Sequence, residues 1–420
     1  MDRKKQDDYH FVKEHIKKKP EDKRRFFVSP VHIVISGIVF GVLAALAFCA
    51  SKPVFDNLFG SQEQKVQLSG SEDSVSAEPE PETKSEQVYI TEKQQMELED
   101  YQILQNKLYS VGKEANKSVV SVTGVTSRKD WFDSDYETQG QGAGIIIADT
   151  SQKFLIVTEK KLIADATQIE VSFYDSASAE ANLVAYDGNT GIAVLSVDKK
   201  LLNETTKQKV TPAEIGNSGI VSQGSLVIAI GSPLGEVYSI LTGNVTASDN
   251  EITTIDMSYD IITTDIIGTD ISSGALIDLD GKVVGLIMQG YGTESNRNTI
   301  TALGITEIRG LIEKLSNGKT PVYLGLETST VTDEIAEEYA LPDGIYIKNV
   351  YVDSPAMEAG LQTGDVLVKI NQQEILSESQ YETFLQSAKS GQEIKITVKR
   401  MGSDGTYQDV ACTAVLRELQ

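Results

Sequence analysis

The chain has 420 residues, 40% of them hydrophobic and 24% charged, enough to fill two ordinary cores and still leave a tail and a linker. Its formal net charge is −23, and because residues 1–30 hold ten Lys/Arg against six Asp/Glu, the remainder carries about −27; nucleic acid and other polyanions are excluded as its partners. The only histidines are His10, His15 and His32, and the only cysteines are Cys49 and Cys412, so residues 33–420 have no imidazole and no CxxC pair, and neither a metal site nor any other cofactor is expected.

Residues 1–30 form a basic tail with Lys17, Lys18, Lys19, Lys23, Arg24 and Arg25. The run from Val31 to Ala50 contains no Asp, Glu, Lys or Arg, and about 20 such residues in a helix span the bilayer hydrocarbon. A single transmembrane helix over 31–50 is predicted, with the N-terminus cytoplasmic by the positive-inside rule and everything after Ser51 extracytoplasmic. A cleaved signal peptide is the competing reading; about 30 residues is long for the segment ahead of the apolar core, and no A-x-A site follows it. Phe48 ahead of Cys49 argues against lipidation there. With Cys412 as the sole remaining cysteine, no disulfide can form in the exported part, which fits a bacterial cell envelope.

Residues 51–88, with EPEPETKSE at their centre, read as a disordered acidic linker. An amphipathic helix is predicted over 89–115: T-E-K-Q from Thr91 makes a capping box, and Leu98, Tyr101, Leu104, Leu108 and Val111 follow at helical spacing. Packing onto its own domain and self-association between protomers both explain such a stripe; its short length of about two heptads favours the first. From residue 116 to 318 the texture is β-rich, with SVVSVTGV, AGIIIA, FLIVT, IEVSFY, ANLVAY, IAVLSV, SLVIAIG and KVVGLIM separated by Gly, Asn and Asp, which suggests a sandwich or barrel. GQGAG at 140–144 lacks the helix and Lys-Ser/Thr ending of a phosphate loop and reads as a turn between strands. The stretch TEIRGLIEKL is helical, and Asn317-Gly318-Lys319-Thr320-Pro321 marks a boundary. Residues 321–418 alternate strands near 344–347, 365–370 and 393–398 with helices near 354–359 and 377–387, a small recognition module in size. Glu337 and Glu338 lie on an amphipathic segment and are expected on a solvated face.

Several of these strings resemble, in order, the HtrA-type (DegP-like) serine proteases. GQGAGIIIADTSQKFLIVTEKKLI resembles the glycine-rich strand pair leading into T-N-N-H-V, DGNTGIAVLSV resembles D-x-x-x-D-I-A-V-L-K-V, and SLVIAIGSPLGEVYSILTGNVTAS resembles the A-I-G-N-P-L-G and T-x-G-I-V-S signatures. TTDIIGTDISSGALIDLDGKVVGLI resembles the nucleophile segment with its G-N-S-G-G-P-L, and YLGLE, GIYIKNVYVDSPAMEAGLQTGDVLVKINQQEI and KITVKR resemble the PDZ domain that follows it. The resemblance implies a mainly β chain, a chymotrypsin-like double β-barrel followed by a PDZ domain.

It also implies where the chemistry should be. The matched positions put Lys161 at the catalytic His, Gly191 at the catalytic Asp, Ser272 at the nucleophile and Asp270 at a glycine whose N–H serves the oxyanion hole. A serine hydroxyl is a poor nucleophile without a neighbouring base, and the aspartate exists to orient that base. One oxyanion donor is worth about 3 kcal/mol, and a carboxylate beside the developing charge opposes the reaction. A lysine serves as base only if desolvation keeps it neutral, so Lys161 is expected instead to pair with Asp270 and fill a dead site.

The loop Tyr323-Leu324-Gly325-Leu326 matches the carboxylate-binding loop of the PDZ domain, whose N–H groups capture a peptide C-terminus while a strand edge accepts the peptide as an added strand. Tyr381, Phe384 and Leu385 lie on the helix expected to form the other wall of the groove. The expectation is a membrane-anchored HtrA-like homologue, catalytically inactive, that binds exposed C-termini or unfolded polypeptides as a scaffold or adaptor in envelope protein quality control. Two alternatives stand beside it: an active serine endopeptidase using Ser272 with Lys161 as base, and a regulatory subunit in mixed oligomers with active HtrA proteases; the chain's own assembly is expected to be a homo-trimer or such a mixed oligomer.

Overall fold

A computed structural model describes residues 97–129, 135–294 and 296–419. The predicted basic tail, transmembrane helix and linker, and the capping box at Thr91, lie outside these residues. Among the described residues no helix is long and apolar enough to cross a membrane.

Helix α1 spans Leu98–Ala115; Glu97 is its N-cap and shares a reciprocal capping box with Asp100, and the earlier part of the predicted element, from residue 89 to 96, lies outside the described residues. Leu108 is 5% exposed, whereas Leu98 is 83% and Tyr101 56% exposed, so the apolar stripe packs on its own domain through its C-terminal half alone.

Twelve strands then close into two six-stranded barrels. The first is built from β1 Val119–Lys129, β2 Asp135–Asp149, β3 Lys153–Glu159, β4 Gln168–Phe173, β5 Ser178–Tyr186 and β6 Ile192–Asp198, in the order β1-β2-β3-β6-β5-β4. A short helix, α2 (Glu204–Lys209), precedes the second: β7 Leu226–Ser232, β8 Ser239–Thr253, β9 Ser258–Ile267, β10 Ser273–Ile277, β11 Val283–Met288 and β12 Thr299–Gly304, in the order β10-β11-β12-β9-β8-β7. Helix α3, Ile305–Ser316, turns Ile305, Ile308, Ile312 and Leu315 inward at helical spacing.

Strand alternation places three cores. Phe154 and Ile156 of β3 fill the first barrel, and Val227 and Ala229 of β7 fill the second. Their neighbours Leu155, Val157, Ile228 and Ile230 point the other way and meet in the seam between the barrels, with α3 against the same cluster. Strands buried on both faces carry continuous apolar runs, which is why FLIVT and SLVIAIG show no period of two.

GQGAG at 140–144 is not a turn; it runs within β2. Its glycines answer a close approach: a Cβ on Gly140 would lie 2.9 Å from the Leu162 carbonyl oxygen, and one on Gly142 2.5 Å from a Leu162 methyl. A similarly close approach occurs where β7 and β10 pair to close the second barrel: a Cβ on Gly274 would stand 2.1 Å from the carbonyl oxygen of Ile230.

The C-terminal unit holds β13 Val322–Tyr323, β14 Leu326–Thr330, α4 Asp333–Tyr339, β15 Ile345–Val350, α5 Pro355–Glu358, β16 Val366–Ile370, β17 Gln373–Glu374, α6 Glu378–Ser387, β18 Glu393–Met401, β19 Tyr407–Val415 and β20 Arg417–Glu418. Its main sheet runs β14-β15-β16-β18-β19, leaving one side of β14 as an open edge flanked by α6. Tyr381 and Leu385 of α6 belong to its core, and Phe384 is only partly buried against it. Glu337 and Glu338 are exposed on α4.

Candidate functional site

The four positions singled out in the barrels come from three loops, Asp270 and Ser272 sharing the one between β9 and β10. Lys161 sits in a single helical turn, residues 160–162, directly after β3. The Lys160 N–H donates to the Gly191 carbonyl at 2.7 Å, tying this turn to the one that opens β6. That second turn is organised by buried Asp187, whose Oδ2 accepts from the Thr190 N–H (2.8 Å) and hydroxyl (2.7 Å). Gly191 itself has φ +76, and nothing lies within 4 Å of where its Cβ would be. The Tyr291 hydroxyl donates to the carbonyls of Asn189 (3.3 Å) and Thr190 (3.2 Å), and burial pushes it up to about 12.

Ser272 is 0% exposed. Its hydroxyl donates to the Pro233 carbonyl at 2.6 Å and accepts from the Thr269 N–H at 2.7 Å. Its own N–H donates to the Thr269 carbonyl at 2.9 Å. Hydroxyl and amide are thus both used to close the turn 269–272. Ser273, the next residue, is equally buried, and its Oγ accepts from the Ala143 N–H at 2.9 Å. A shallow depression of about 460 Å³ lies alongside, lined by Gly268, Thr269, Asp270, Glu294, Arg297 and Asn298.

The expected Lys161–Asp270 ion pair does not form. Lys161 Nζ lies 2.8 Å from Glu159 Oε2 and reaches only the backbone carbonyl of Asp270, at 3.5 Å. The Asp270 carboxylate is held by a fork from Arg297, at 2.9 Å and 3.3 Å, which keeps its carboxyl below the usual range. Both choices have a physical reason. Glu159 is nearly buried, with burial pushing its carboxyl up, and the lysine two residues along offers the compensating charge. Asp270 is exposed on a loop, where the planar guanidinium fits a carboxylate with two bonds. Glu159 stands inside T-E-K-K-L at the first Asn of the resembling T-N-N-H-V, a signal the sequence carried; Arg297, 27 residues beyond Asp270, gave none. Among the described residues no group of three His, Cys, Asp or Glu could hold a metal ion.

In the C-terminal unit, the N–H groups of Leu324, Gly325 and Leu326 converge as expected of a carboxylate-binding loop, while Tyr323 stands apart, pairing with Arg417. A carboxylate already occupies them. Asp256, at the tip of the β8–β9 hairpin, accepts from Leu324 (2.6 Å) and Gly325 (2.8 Å) on Oδ2 and from Leu326 (2.8 Å) on Oδ1. Tyr381 donates its hydroxyl to Oδ1 at 2.5 Å. Burial leaves the Asp256 carboxyl above its ordinary value, against the downward pull of these four hydrogen bonds. Burial, with Asp256 beside it, holds the Tyr381 phenol well above its ordinary value, as a neutral donor.

Two closed barrels followed by a sheet-and-helix unit with a carboxylate-binding loop define a trypsin-like double barrel joined to a PDZ domain. Residues 142–286 match the trypsin-like peptidase domain and residues 346–400 the PDZ domain. The chain belongs to the HtrA-like family of trypsin-like proteins that carry a PDZ domain. It is 29% identical over 289 residues to the serine protease Do-like HtrA of Lactobacillus helveticus, covering 64% of this chain and 67% of that one. It is 31% identical over 287 residues to a probable periplasmic serine endoprotease DegP-like protein of Pseudomonas savastanoi pv. phaseolicola, covering 67% of this chain but only 57% of that relative. The chain thus spans between little more than half and two thirds of their length. In fold it is similar to the HtrA-type protease AlgW solved with a decapeptide, with a TM-score of 0.54 at 23% identity, covering 74% of this chain and 98% of that one.

Proposed function

We propose that this protein is a non-proteolytic, membrane-anchored member of its family that holds polypeptide C-termini or unfolded segments through its PDZ domain, as a scaffold or adaptor in envelope protein quality control. One observation carries the reading: the Ser272 hydroxyl and amide are both committed to backbone partners within and beside their own turn. A nucleophile needs its proton accepted by a base, and an oxyanion needs free N–H donors. Lys161, at the position of the base, has its ammonium engaged by Glu159, and Gly191 has no carboxylate to orient one. Binding needs none of this; a loop of converging N–H groups beside an open strand edge captures a terminal carboxylate and adds a strand. The solved AlgW complexes with a decapeptide and a tripeptide are in keeping with this use of the fold. The apolar run Val31–Ala50, following a basic tail, supports anchoring with the barrels and PDZ domain outside the cytoplasm.

The test is a serine-directed fluorophosphonate probe together with casein turnover, applied to the full chain purified in detergent. No labelling and no turnover are expected. Labelling or turnover that disappears in Ser272→Ala would establish an endopeptidase and end this reading.

A further inference from the structure

We infer that the PDZ carboxylate site is occupied in cis by Asp256, so that a C-terminal peptide must displace the β8–β9 hairpin tip of the second barrel before it can bind. The inference deepens the proposed peptide-binding role and rests on it. The contact reproduces what a chain terminus would do. Three successive amides hold the two oxygens of one carboxylate, and the Asp256 N–H donates to the Leu326 carbonyl at 2.8 Å, the first rung of a strand added to the β14 edge.

The hairpin tip is shaped for this task. Asp256 takes φ +62, a left-handed conformation that Asp tolerates better than most side chains. The Thr254 N–H and hydroxyl both donate to the Met257 carbonyl, at 2.8 Å and 2.9 Å, closing the turn that presents it. Beyond the carboxylate, the Ser258 N–H donates to Glu382 of α6 at 3.1 Å, and Glu378 of α6 accepts from the Thr330 N–H at 3.0 Å. The groove is therefore bridged at both ends by this chain's own groups.

The tip also reaches the first barrel. Asn189, in the turn that ends at Gly191, donates to the Thr254 hydroxyl (3.0 Å) and the Ile255 carbonyl (2.9 Å) and accepts from the Ile255 N–H (3.2 Å). A peptide that expels Asp256 thus also loads the turn opening β6. A tethered competitor lowers the apparent affinity of an incoming ligand by the fraction of molecules in which the site is free; a site free in about 1–10% of molecules weakens binding about 10- to 100-fold.

The experiment compares the wild-type full chain with Asp256→Ala and Asp256→Asn. Hydrogen exchange reads the amides of residues 324–326, and fluorescence polarisation reads binding of a labelled decapeptide pool with an apolar last residue and a free C-terminus, with the same pool amidated as control. Expected are loss of protection at 324–326 in both variants, with β14–β15 still protected, and about 10- to 100-fold tighter binding of the free-acid pool alone. Unchanged protection in Asp256→Ala would overturn the occupancy. Lost protection with equal peptide affinity in all three proteins would overturn the competition. Lost protection with no peptide binding by any protein would leave the occupancy standing and reject the peptide-binding role beneath it.

Discussion

Ser272→Ala separates a structural serine from a chemical one. The hydroxyl makes a buried hydrogen bond of 2.6 Å to Pro233 and a part-buried one of 2.7 Å from Thr269, and its removal leaves the Pro233 carbonyl and the Thr269 N–H without their partner. Each such group left unsatisfied costs about 1–3 kcal/mol, so the pair is worth about 2–6 kcal/mol. For a folded unit of about 200 residues, each kcal/mol moves the midpoint by about 2–4 °C, and a fall of about 4–24 °C in Tm is expected. Differential scanning fluorimetry on the full chain measures it, with circular dichroism to confirm that the barrels remain folded. A catalytic serine behaves in the opposite way: its removal abolishes turnover and leaves the melt where it was. A variant that melts with the wild type would refute the assignment of this hydroxyl to the closure of turn 269–272.

Reversion of the three divergent positions, K161H/G191D/D270G, is expected to leave casein turnover at background, because the Ser272 hydroxyl stays bonded to Pro233 and its N–H to Thr269; appearance of turnover would confine the defect to the triad. In the PDZ unit, Arg400 grips buried Asp365 through two bonds of 2.7 Å, and Asp365→Ala should destabilise the domain by about 3 kcal/mol, read as a lower urea midpoint for its transition. Burial pushes the Glu307 carboxyl from 4.5 up to about 7, while its Oε2 accepts from the Asp260 N–H at 2.5 Å. The folded chain then keeps a proton that the unfolded chain has lost, so stability should fall as pH rises from about 4.5 to about 7, and Glu307→Gln should flatten Tm against pH across that window.

The legible parts of the fold were those where burial leaves a one-dimensional trace. FLIVT, SLVIAIG and KVVGLIM stand out because the two faces of β3, β7 and β11 are covered by different cores. Residues 305–316 stand out because Ile305, Ile308, Ile312 and Leu315 share one helix face. Strand β8 did not stand out: most of its 15 residues are half-exposed or exposed, so Thr, Asn, Asp and Glu interrupt its apolar positions. At the site, motif order sufficed to pick out Lys161, Gly191, Asp270 and Ser272. Their partners depended on how loops converge. Asp256 is separated from the Leu324 amide it holds by 68 residues, and its sequence neighbours resemble any hairpin tip. The misplaced Lys161–Asp270 pair came from the matched motif positions, which bring the two residues to one site without showing that Glu159, two residues from the lysine, is the buried carboxylate in need of a counter-ion.

The close pairing of β7 with β10 bears on how such sequences should be read. Gly274 belongs to the segment that resembles a catalytic signature, yet its lack of a side chain answers to the carbonyl of Ile230 and not to any reacting group. The need to keep the second barrel closed would preserve that residue whether or not Ser272 reacts. A glycine at this position is therefore a mark of architecture, and its presence speaks for the barrel rather than for the chemistry.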